Sequence, residues 1–171
     1  MKYLRSASLL ALMLVSVCAL AQSPRDVQLH GIIDSAGQWT VRGHWSLKIE
    51  ERSNKAEFSA DLNMQRSDYW LIANSKPDDA TDLGQHTHHI SVVGPVNSIN
   101  GGFEITGLAT ITVNGSPAPV SPSMVTIDVT GGDSLEYSNI AVTFASPASK
   151  HFGTDPLTGV VRTAKSHRED H

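Results

Sequence analysis

Residues 39–49 read WTVRGHWSLKI. Trp39, Val41, Gly43, Trp45, Leu47 and Ile49 take every second position, and Thr40, Arg42, His44, Ser46 and Lys48 fill the places between. Side chains of an extended chain point alternately to opposite faces, so the stretch predicts a strand with one apolar and one polar face. Such strands belong to antiparallel sheets packed on one side only.

The same grammar extends in both directions. AEFSADLNMQ, residues 56–65, places Ala56, Phe58, Ala60, Leu62 and Met64 on one face, and the polar turn from Glu50 to Lys55, with Ser53-Asn54 at its tip, joins it to the preceding strand as a hairpin. Upstream, VQLHGII (27–33) ends at an Asp-Ser-Ala-Gly turn. Downstream, HTHHISVV (86–93) ends at Gly94-Pro95, and GFEITGLATITV (102–113) ends at Asn114-Gly115, a strong hairpin signal. MVTIDVT (124–130) and NIAVTFA (139–145) complete the regular part. The expectation is an all-β fold, an antiparallel sandwich or barrel of about eight or nine strands, followed by an irregular C-terminal tail. Pattern alone does not choose between sandwich and barrel.

Three segments are expected. Residues 1–21 (MKYLRSASLLALMLVSVCALA) combine Lys2 and Arg5, an apolar run and a small-x-small end, which is the layout of a secretory signal cleaved after Ala21. Lipid anchoring at Cys18 is the rival, disfavoured by bulky Val17 before it. Residues 22–150 form the β domain, and 151–171 a partly packed tail. The product is expected to be secreted or periplasmic, with no transmembrane segment.

Loss of the leader removes the one cysteine, so the remainder forms no disulfide. It also removes two basic residues from a chain whose net charge is already −4. Nucleic acid is therefore not an expected partner, because phosphate binding needs a basic face.

Histidines carry most of the chemical information. QHTHHISVV, residues 85–93, places His86 and His88 two apart on a strand and hence on one face, while His89 points away. Ile90 and Val92 share the parity of that pair, so it stands where the core face runs out toward a strand end. Two imidazoles presented together suit Zn²⁺ or Cu²⁺, which accept neutral ring nitrogen. A site needs a third ligand, for which His44, His151 and His30 are the histidine candidates and Glu104, Asp61 and Asp68 the carboxylate ones. The metal-ligand set read from the sequence is His86, His88, His44 and His151.

Other motifs are weaker. Residues 67–82 (SDYWLIANSKPDDATD) interrupt the strand pattern, and Tyr69 and Trp70 within them are candidates to bind a flat or apolar ligand. Gly132-Asp133-Ser134-Leu135 spells a hydrolase signature, but no Asp-x-x-His follows it, and the segment reads as a turn. No phosphate loop, dinucleotide glycine pattern or EF-hand is present.

These features predict a secreted β domain that binds a small ligand or a protein and has no catalytic residues. The alternatives are a metal-binding protein or metal-dependent enzyme built on the His-Thr-His-His cluster, and a barrel holding a small apolar ligand or lipid.

Overall fold

The computed structural model describes residues 25–37, 39–67, 85–131 and 135–168. The leader at 1–21 with Cys18, the ligand candidates Tyr69 and Trp70, and Asp68 and Ser134 all lie outside the described residues.

Nine strands account for most of the described chain: β1 (Arg25–Ala36), β2 (Trp39–Glu50), β3 (Lys55–Arg66), β4 (Gln85–Ile99), β5 (Gly102–Val113), β6 (Ser116–Pro117), β7 (Ser123–Thr130), β8 (Asn139–Phe144) and β9 (Leu157–Arg168). One short helix, α1 (Ser149–Phe152), lies between β8 and β9. Each of the eight long strands pairs antiparallel with its neighbours in chain order. The last of them, β9, returns to pair with β1 from Ile33↔Gly159 to Arg25↔Arg168. The sheet therefore closes into an eight-stranded up-and-down barrel, with β6 as a two-residue addition on β5. Closure resolves the choice between sandwich and barrel and removes the edges an open sheet would expose.

The alternation that predicts the strands also fills the barrel. Val41, Trp45, Leu47 and Ile49 of β2 and Ala56, Phe58, Ala60, Leu62 and Met64 of β3 are all buried, together with Leu29, Ile33, Ile90, Ile105, Ile111, Ile127 and Ile140 from the other strands. Side chains of this size occupy the axis, as in small barrels whose interior is core. Trp45 stacks on Phe58 at 6.2 Å and lies over Gly31 of β1. A Cβ at Gly31 would sit 2.6 Å from the indole, so this strand position has no room for a side chain.

Asn114 and Gly115 both have positive φ, 48° and 82°, the conformation a two-residue hairpin requires and the one their sequence predicts. Two readings are corrected. Gly94-Pro95 is not the end of a strand: β4 continues to Ile99, with Pro95 opposite Lys55 of β3. Pairing with β5 stops at Val92↔Ala109 and resumes at Val96↔Ile105, and a proline fits at such an interruption because no ladder partner needs its missing N–H.

The segment after Ser146 is also not irregular. It contains α1 and the strand that closes the barrel. A β-bulge explains why its pattern is hard to see. Gly31 pairs with Val161 and His30 with Thr163, so Arg162 is the extra residue. Leu157 and Val161 point inward, and past the bulge the inward set changes parity to Ala164.

The ends of β1, β3, β5 and β8 and the starts of β2, β4, β7 and β9 gather at one end of the barrel. Helix α1 packs there: Phe152 is buried and stacks on Phe144 of β8 at 4.1 Å with the rings nearly parallel.

Candidate metal centre

Three histidines meet at that end. His86 and His88 come from the start of β4 and share its inner face, as their spacing predicts. His151 comes from α1, where the turn that buries Phe152 delivers the preceding residue to the same place. His151 Nε2 lies 3.0 Å from His86 Nε2 and 2.9 Å from His88 Nε2. The ligating atoms of all three lie within 4.8 Å of one another. Two nitrogens each ~2.0–2.1 Å from one zinc ion are separated by ~2.9 Å at a right angle and by ~3.3–3.4 Å at the tetrahedral angle. The two edges that meet at His151 correspond to the compact end of that range.

The orientation of His88 is fixed from behind. Its Nδ1 lies 2.7 Å from the Thr112 carbonyl oxygen of β5. A carbonyl only accepts, so Nδ1 carries the proton and donates it. Burial, acting against that hydrogen bond and helped by repulsion from His151 and His86, pulls the His88 pKa down to about 4. His88 is therefore neutral at pH 7, and its Nε2 presents a lone pair to the cluster. Backbone oxygen behind and a bare nitrogen in front is the arrangement that orients metal-binding imidazoles. His151 is likewise held below the ordinary histidine range by burial and by His86.

Proton bookkeeping sharpens the point. With the lone pair of His88 directed at His151, a hydrogen bond between them needs a proton on His151 Nε2. That single proton also faces His86 Nε2, so two short N···N contacts share one donor. A cation among the three nitrogens satisfies every lone pair at once.

Aromatic rings hold the group in place. Trp39, at the start of β2, meets His86 edge-on at 5.3 Å and His151 at 5.9 Å. Phe152 packs on His88 at 4.8 Å and on His151 at 5.1 Å. His88 is 3% exposed, which makes it one of the few buried polar residues among those described.

The other candidates lie elsewhere. His44 occupies an exposed position on the outer face of β2, across from Asp61, and does not reach the cluster. His30 is exposed on β1. Asp61 accepts a hydrogen bond from His89 Nδ1 at 2.8 Å on the outer face. Glu104 stands opposite Asp128 across β5 and β7. Trp39, Thr112 and Phe152 take part at the site although the sequence pattern assigns them none there. Trp39 was legible only as a core residue, and Phe152 lies in a helical turn that a period-two pattern does not reveal.

Comparison with protein-family models, with curated proteins and with solved structures finds no match.

Proposed function

We propose that this protein is an exported metal-binding module that holds one Zn²⁺ or Cu²⁺ ion through His86, His88 and His151. One observation carries the reading: three imidazole nitrogens from two separate elements converge, and the most buried of them is turned toward the others by the Thr112 carbonyl. Zinc and copper suit neutral imidazole, and three protein ligands leave a further position open to water or an anion. Export rests on the leader-like pattern of residues 1–21. Binding is favoured over hydrolysis because the cluster among the described residues consists of histidines alone, with no carboxylate placed to serve as a general base. The packed axis of the barrel argues against the apolar-ligand reading.

Metal analysis after loading and dialysis tests the proposal. The wild-type protein is expected to retain close to one ion per chain. His86→Ala, His88→Ala and His151→Ala should each weaken retention by more than about 100-fold, since changes to groups that merely support a ligand already cost 10–100-fold. His44→Ala should behave as wild type. Equal, negligible metal in all five proteins would rule the reading out.

A further inference from the structure

Beside the three histidines lies a recess of about 210 Å³ lined by His88, His151, Val113, Ala118, Pro119 and Val120. Two of the three imidazoles make one wall, and the remaining walls are apolar side chains. We propose that this recess receives the body of a short-chain carboxylate whose oxygens occupy the open position on the bound ion; the inference rests on the metal reading above.

Charge selects the head group. Three neutral imidazoles leave a divalent ion with its full double charge, and no lining residue of the recess is an acid. A dicationic centre facing an apolar wall is costly unless an anion neutralises it. A carboxylate is the small organic anion that zinc and copper accept.

Size and polarity select the tail. The recess is below the ~300 Å³ at which sites for drug-sized ligands begin, and a ~150 Å³ apolar cavity already accepts a six-heavy-atom ring. Butyrate also has six heavy atoms. Its propyl chain would lie against Val113, Ala118, Pro119 and Val120.

The wall is built before any ligand arrives. Residues 118–123 are tied down by Ala118 N–H to the Ile111 carbonyl (2.9 Å), Ser121 N–H to the Ala118 carbonyl (3.0 Å), Ile111 N–H to Ser121 Oγ (3.0 Å) and Ser123 Oγ–H to the Val120 carbonyl (2.6 Å). A wall held this way loses little freedom on binding, which leaves more of the contact energy for affinity.

The test uses the full chain loaded with Co²⁺, whose visible bands report both metal binding and the identity of the fourth ligand. Titration with butyrate and with acetate should shift the bands in both cases. Butyrate should bind on the order of tenfold more tightly, as expected for two further buried methylenes. Ala118→Leu, which fills the recess, should abolish the preference and keep the cobalt. Val120→Ala, which widens it, should move the preference from butyrate toward hexanoate, and serves if the leucine variant does not fold. Cobalt bands indifferent to both carboxylates, equal affinity for the two, or a preference unmoved by the variants would overturn this inference and leave the metal site standing. Absence of cobalt bands would remove the metal reading and this inference with it.

Discussion

At the level of single residues, two facing pairs show how a barrel wall handles polar groups. His88 is turned inward and kept neutral, and the hydrogen bond to Thr112 uses the one nitrogen that does not face the cluster. Asp128 shows the opposite case on the outer wall. It stands directly across from Glu104, and burial first and Glu104 second push its pKa above the ordinary aspartate value. A carboxyl whose pKa is raised by folding favours the folded state while protonated and penalises it once ionised. The penalty is therefore absent below the ordinary aspartate range near pH ~3.9 and develops as the pH rises through the shifted value. Asp128→Asn removes it. The variant should be more stable than wild type by roughly 0.2–1 kcal/mol at pH 7, the range for like charges opposed across strands, with solvent screening favouring the lower half. The gain should vanish near pH 3. Urea denaturation at the two pH values checks this, and an equal gain at both would refute the charge explanation.

Secondary-structure elements were legible in proportion to the continuity of their alternation. β2 and β3 repeat apolar and polar residues without interruption, and their buried positions are those the pattern assigns. Parity also holds at the site: it brings His86 and His88 to one face and puts His44 and His30 on the outside, so the alternation of β2 by itself sets His44 apart from the cluster. His151 was within reach only as a residue type, because nothing local fixes where a four-residue helix aims its side chains. β9 escaped notice for a physical reason. The bulge at Arg162 changes which parity faces inward, so neither half of the strand is long enough to read as periodic. This gives a prediction specific to the element. Arg162 is exposed, and Arg162→Ala should change stability by no more than about 0.5 kcal/mol, the usual range for surface substitutions. Deleting Arg162 instead makes Thr163 follow Val161, so that Leu157, Val161 and Ala164 all fall on the inward parity and pair with β1 in an unbroken ladder. The deletion keeps the inward set and the register with β1, so it should be tolerated, at a cost of no more than about 1 kcal/mol for the lost local bend. Guanidinium denaturation of the two variants checks this, and a loss several times larger for the deletion would show that the bend and twist of the bulge itself are needed to close the barrel.

For the molecule as a whole, the decisive contact joins the two ends of the described chain, because only β9 makes a closed barrel of what would otherwise be a curled sheet ending in β1 and β8. The boundary suggested by the sequence, with a β domain ending at residue 150, cuts through this closure. A chain ending at Lys150 lacks β9, and with it the backbone partners of β1 from Arg25 to Ile33 and of β8 from Asn139 to Val142. It also lacks Phe152, Leu157 and Val161, each buried to 5% exposure or less. At about 1.5–3 kcal/mol for each buried apolar side chain, the loss is about 5–9 kcal/mol, comparable with the whole stability of an ordinary domain. Two unpaired strand edges flanked by exposed core would then be templates for association. The truncated chain is expected to be aggregated or unfolded by size-exclusion chromatography and circular dichroism, and to bind no metal above background because His151 is gone as well. Supplying residues 151–171 as a separate peptide should restore part of the folded signal, since an extended segment can pair with both open edges. A monomeric truncated chain with a cooperative melt close to that of the full protein would show that the first eight strands hold together by themselves, and the closing strand would then matter for the metal site alone.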